Sequence, residues 1–208
     1  MCLSFMRHFL PKLFCFLMIG LCSQQLFAAQ KSLLIGIDGV QLERLQALNT
    51  PNMARLQINR SYTGGIEGEA SQQSTYSGPG WATILTGTWV QKHQITSNSS
   101  GLASQNYPSI FKRLKQSNTN LKVASITHWD AINLQFFPND VSQINLVQSG
   151  LSDADVVTKA IEFMGAGGDF TFVHLDDPDH TGHTYGFGTN YDNSLIVADQ
   201  QVDRKSVV

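Results

Sequence analysis

Hydrophobic residues fall along this chain in two rhythms. Ser32–Ile37 (SLLIGI) is an unbroken apolar run that ends in Asp38-Gly39, and Phe170–Leu175 (FTFVHL) is a second run that ends in acids. Continuous apolar runs of this length, closed by polar residues, predict strands buried on both faces of a parallel sheet. Leu121 to Ile126 predicts a third strand. Between the runs the spacing turns helical. Helices are predicted for Val40 to Leu48, for a short segment opened by Thr50-Pro51, for Trp81 to Leu85 ended by Gly87, and for Ser109 to Gln116. A further helix is capped by Ser152, with Asp155 three residues on, and runs through Met164 to the stop at Gly165 to Gly168. The last begins at Asp192 and runs to Arg204. Gly64 to Ala70 reads as an edge strand or loop, Ser74 to Pro79 as a loop rich in hydroxyls, and Asp176 to Tyr185 as a polar loop.

Strands alternating with helices predict an α/β fold, a mostly parallel central sheet with helices on both faces. In such sheets ligands bind beyond the carboxyl ends of the strands. The unusual polar residues collect there: Asp38, the Thr127 to Asp130 stretch, and Asp176 to His183.

The first 29 residues read as a signal peptide and not as part of the fold. Arg7, His8 and Lys12 precede a short apolar stretch, Leu13 to Leu21, and small residues follow at Ala28-Ala29. That stretch is well short of the roughly 20 residues a membrane span needs. The expectation is an exported protein, periplasmic or secreted, with no stable membrane anchor and a folded part over residues 30–208. All three cysteines (Cys2, Cys15, Cys22) lie in the signal, so neither a disulfide framework nor a thiolate metal site is expected after it. A net charge of −2 argues against a nucleic acid polymer as partner.

Candidate chemistry lies in three places. Asp179 and His183, four residues apart, can converge on one cation as oxygen and nitrogen donors, among His174, Asp176, Asp177 and His180. Such a pair also occurs by chance on surface loops. Asp38 follows a fully apolar strand, where an Asp before Gly caps a turn or holds a ligand. Ser77, before Gly78-Pro79-Gly80, sits near a helix N-terminus, which suits an anion or a plain cap. No G-x-S-x-G surrounds it, so metal activation fits better than a serine-hydrolase base.

Together these stretches resemble the type I phosphodiesterase/nucleotide pyrophosphatase family of the alkaline-phosphatase superfamily. LLIGIDGV looks like its leading metal aspartate, TYSGPGWATILTGTWVQKHQI like its nucleophile segment, and DDPDHTGHTYGFG like its D-x-x-G-H segment. The resemblance spans roughly residues 32 to 204. It implies an alkaline-phosphatase-like fold and two divalent metal ions of zinc type. It implies hydrolysis of phosphodiester or pyrophosphate bonds in a small substrate, such as a nucleotide, through a phosphoseryl intermediate. Carried onto this sequence, Ser77 matches the nucleophile, with Thr75 as the alternative. Asp38 and Ser77 match ligands of one metal, and Asp179 and His183 match ligands of the other. Asn98 falls where the family keeps an asparagine on a phosphoryl oxygen, although Gln94 stands where glycine is usual. Trp129 and Asp130 follow a strand and are placed to line the pocket.

The family also has a later Asp-His pair and a final His, and no histidine follows His183 here. The domain is thus expected to be C-terminally incomplete, with two protein ligands per ion, an open sheet edge at Phe170 to Leu175, and catalysis crippled by truncation. The other readings are a sulfatase or phosphomonoesterase on the same scaffold, or a non-catalytic secreted fragment.

Overall fold

The computed structural model describes residues 31–204, so the signal-peptide expectation lies outside the described residues. Four parallel strands form one sheet in the order β1-β4-β2-β3: β1 Ser32–Ile37, β2 Val123–Thr127, β3 Leu146–Gln148 and β4 Phe170–Leu175. β4 lies between β1 and β2, with Ser32 opposite Phe170 and Val123 opposite that same residue. The open edge expected at Phe170 to Leu175 is therefore corrected. The edges are β1 and the three-residue β3, while β4 is buried because both neighbours supply its hydrogen bonds.

Side-chain alternation divides the packing between the two faces. Phe172, Val123 and Leu34 meet α3 (Ser77–Thr86), α5 (Ile110–Ser117) and α6 (Pro138–Val141) through Trp81, Leu85, Phe111 and Val141. Val173, Leu175, Ala124 and Ile126 meet α7 (Asp153–Gly165) through Val156, Val157 and Ala160. Along β1, Ile35 and Ile37 also pack against α1 (Leu42–Ala47), α2 (Pro51–Ala54) and α9 (Thr189–Arg204). This is the expected α/β architecture with helices on both faces. The cap read at Ser152 is present: its Oγ accepts from the Asp155 N–H at 3.2 Å.

The local expectations that fail do so for identifiable reasons. α3 begins at Ser77 and not at Trp81, because Pro79 sits in the first turn, where its missing N–H costs nothing. Gly64 to Ala70 forms turns with no strand pairing. Asp176 to Tyr185 is mostly helix, α8 (Asp177–Tyr185), with acids and Pro178 in its first turn to suit the dipole. Four short elements carried too little pattern to read: α4 (Val90–His93), a π-helical turn at Ile132–Phe136, α6 and β3. Among the described residues no helix is long and apolar enough to cross a membrane.

Candidate active site

Asp38 is the first residue beyond β1, and the ladder continues through it, its N–H donating to Leu175 O. Gly39 follows with φ +70°, and a Cβ there would lie 2.4 Å from Asp179 Cα. Glycine at this turn lets the carboxyl ends of β1 and β4 close on each other. Gly36 does the same inside the strand, since a Cβ would meet the Trp81 ring at 2.2 Å. Trp81 thus lies flat enough on the sheet for its Nε1–H to donate to Asp38 Oδ2 at 2.8 Å.

Ser77 opens the ten-residue α3, whose first N–H groups have no partner within the helix. The Gly78 N–H donates to Asn98 Oδ1 at 2.8 Å, which ties the Asn98 loop to the helix end and leaves Nδ2 of Asn98 as a donor. That loop is itself held from below. Buried His93 accepts the Ile95 N–H at Nδ1, 3.0 Å away, and contacts Thr83 Oγ1 through Nε2 at 3.1 Å. Gln94 caps α4 at φ +65°, a left-handed conformation that explains why glycine is the usual choice there.

α8 brings Asp179 and His183 onto one face, with Oδ2 and Nε2 3.5 Å apart. Asp38, Ser77, Asn98, Asp179 and His183 line one cleft of about 670 Å³ together with Trp81 and Thr75. An adjoining recess of about 310 Å³ is lined by Asp38, Ser77, Asn98, Asp176, Trp129 and Asp130. The five residues named from the motifs are thus brought together, and Trp129 and Asp130 stand beside them. Ser77 lies in both hollows, Thr75 only in the first.

Two groups at the strand ends were not separable by sequence. Donor atoms of Asp38, His174 and Asp176 lie within 4.8 Å of one another, as do those of His128, Asp153 and Asp177. In the second group Asp153 is already engaged: it contacts His128 Nδ1 at 2.8 Å and accepts the N–H groups of Asp176 and Asp177. It anchors the turn from β4 into α8. The signal was only a density of acids and imidazoles, with nothing to say which would pair.

The electrostatics fit a divalent cation. Burial pushes the Asp179 and Asp176 carboxyls up, and nearby Asp38 adds to the push on both. For Asp38 burial also acts upward, but the polar neighbours His174, Trp81 and Ser77 outweigh it and hold the carboxyl below its ordinary value. The cleft therefore gathers negative charge that a cation would offset, on carboxylate and imidazole donors.

Residues 32–112 match the model of the type I phosphodiesterase / nucleotide pyrophosphatase family. Among solved structures, murine ectonucleotide pyrophosphatase / phosphodiesterase 5 superposes with a TM-score of 0.58 at 18% identity, over 84% of this chain and 51% of that one. An inactive threonine-to-alanine variant of it, in complex with AMP, gives 0.59 at 18% identity, over 84% and 50%. The human counterpart gives 0.58 at 16% identity, over 84% and 50%. The chain spans about half the length of these structures. No curated protein matches it by sequence. The fold is that of these pyrophosphatase / phosphodiesterase structures, and the resemblance read from the motifs holds for the N-terminal part of the chain.

Proposed function

We propose, from the family to which its N-terminal part belongs, that the chain carries the nucleophile side of a metal-dependent hydrolase acting on phosphodiester or pyrophosphate bonds. The observation behind this reading is the position of Ser77: at the N-terminus of α3, facing Asp38, in the cleft that also holds Asn98, Asp179 and His183. The family match over residues 32–112 takes in Asp38, Ser77 and Asn98 and favours this reading over a sulfatase, a phosphomonoesterase or a non-catalytic fragment. The AMP bound by the murine neighbour favours a small nucleotide-type substrate.

Two divalent ions, held by Asp38 with Ser77 and by Asp179 with His183, would supply Lewis-acid stabilisation of the charge on the phosphoryl group. The chain's own residues do the rest. Asp38, kept ionised by the Trp81 N–H, accepts the Ser77 hydroxyl and orients its lone pair towards phosphorus. Ser77 Oγ forms the new bond to phosphorus as its proton passes to solvent and the bond to the leaving oxygen breaks, that oxygen taking up a proton from water. Asn98 Nδ2 and the Ser77 N–H at the head of α3 hold the non-bridging oxygens. Water then cleaves the phosphoserine and returns Ser77. Export, expected from residues 1–29, would place this hydrolysis outside the cytoplasm.

Ligand number sets the expectation for the chain alone. A catalytic zinc usually takes three protein ligands, and two are assigned here to each ion. Turnover of bis-(p-nitrophenyl) phosphate by the 208-residue chain with added zinc is expected to be no faster than that of its Ser77→Ala variant. A longer polypeptide carrying these residues within a whole alkaline-phosphatase-like domain is expected to be active, and Ser77→Ala, Asp38→Ala or His183→Ala should each abolish that activity. Turnover that survives Ser77→Ala would overturn the reading.

A further inference from the structure

His174 has the look of a third metal ligand. It is the penultimate residue of β4, fully buried, and its Nε2 has no hydrogen-bond partner. That nitrogen lies 3.6 Å from Asp38 Oδ2 and 3.8 Å from Asp176 Oδ1, between the two carboxylates. The groups around the ring point to a different role. The Trp129 backbone N–H is directed at Nδ1, 3.4 Å away. A nitrogen that faces a donor must present its lone pair, so the neutral ring carries its proton on Nε2. Metal-ligating histidines show the reverse pattern: the nitrogen away from the metal gives its N–H to a carboxylate or carbonyl. For Nε2 to bind a cation, Nδ1 would have to carry a proton pointed at the Trp129 N–H. Trp81 holds the ring in place with an edge-on contact, centroids 4.8 Å apart, and the Gly36 position beneath the indole leaves no room for it to shift towards the sheet.

We propose that His174 is a positioning residue and not a ligand: its Nε2–H is the donor that holds the Asp38 and Asp176 carboxylates turned towards one another at the mouth of the cleft. Asp38 Oδ2 then takes the Trp81 Nε1–H at 2.8 Å and has the His174 Nε2–H as a longer electrostatic contact at 3.6 Å, while its Oδ1 takes the Gly39 N–H at 2.9 Å. Buried N–H groups set the aim of this carboxylate before any cation arrives. Asp176 enters the site as a second carboxylate fixed from behind, since its own N–H is held by Asp153. The proposal deepens the metal-dependent reading above and rests on it for the purpose of the arrangement, but the proton's position on His174 does not depend on that reading.

The test combines two measurements on the 208-residue chain. The first is the proton position on the His174 ring, from long-range proton–nitrogen correlation spectra with and without zinc, assigned by comparison with His174→Gln. The second is zinc affinity, by competition with a chromophoric chelator, for wild type, His174→Gln and His174→Phe. A glutamine amide reproduces the Nε2–H donor; phenylalanine removes it and keeps the bulk. The expected result is an Nε2–H ring both with and without zinc. Affinity in the glutamine variant should stay within about threefold of wild type, and in the phenylalanine variant it should fall by roughly ten- to a hundredfold, the usual cost of losing a group that orients a ligand. A proton that moves to Nδ1 when zinc is added makes His174 a ligand and overturns the proposal. So does a glutamine variant as impaired as the phenylalanine one, or a phenylalanine variant as tight as wild type. If the chain takes up no zinc, the proton position in the metal-free spectrum decides the proposal alone: an Nδ1–H ring overturns it.

Discussion

Protonating His93 should unlatch the loop that carries Asn98. The imidazole is fully buried and its Nδ1 accepts the Ile95 N–H, so the ring is built in as the neutral form. Burial lowers its pKa from 6.5 to about 4. A histidine whose folded pKa is depressed binds fewer protons folded than unfolded between those two values. Its contribution to stability is therefore complete above the unfolded pKa and falls as pH drops towards the folded one. Each pKa unit is about 1.4 kcal/mol, so moving from neutral pH to about pH 5 should cost on the order of 2 kcal/mol through this residue alone. Carboxylates titrate in the same direction lower down, so the effect must be isolated by difference. His93→Asn keeps an acceptor near Nδ1 and removes the titration. Urea unfolding of wild type and variant, each at about pH 7.5 and about pH 5, gives four free energies by linear extrapolation. Wild type should lose about 2 kcal/mol more than the variant on acidification. Equal losses would show that the ring protonates in place, and the reasoning from Nδ1 would be wrong.

Two further outcomes follow from backbone geometry. Gln94→Gly should raise stability by up to about 1 kcal/mol, a rise in melting temperature of roughly 2–4 °C for a chain of this size, because the left-handed cap at φ +65° is strained for any side chain; a fall on thermal unfolding would mean the Gln94 side chain contributes more than its backbone costs. Gly39→Ala should cost at least about 2 kcal/mol in a urea titration, since φ is positive and the new Cβ would strike Asp179 Cα; a loss under about 0.5 kcal/mol, the usual range of an innocuous surface change, would mean the two strand ends can part.

What the sequence made legible depended on length and burial. β1 and β4 are six-residue apolar runs and could be read at once, whereas β3 has three residues and no run to show. α8 was hidden because Asp, Pro, Thr and Gly are poor helix formers, and its helicity comes from the acidic first turn and from packing on α9. Asp38, Asp179 and His183 could be picked out because they follow buried strands, where an acid or imidazole needs a reason. Trp81 read only as the start of a helix, since nothing in a helical apolar pattern reveals where an indole N–H points. Asp153 read as the start of a capped helix, and its grip on the Asp176 and Asp177 N–H groups appears only once α7 lies beside β4.

The strand order has a temporal consequence. β1 pairs only with β4 among the described strands, so it waits for its partner while the stretch from Asp38 to Asp169 is synthesised. At ordinary rates of translation that interval is on the order of ten seconds. Throughout it Leu33, Leu34, Ile35 and Ile37 have no sheet to join, and their exposure is a period of risk that a holding chaperone would cover. Asp38 and Asp179 follow the two strands whose pairing must wait for that interval. The candidate cleft is therefore not a feature added to a finished sheet; it closes as β4 docks between β1 and β2, the same event that joins the described strands.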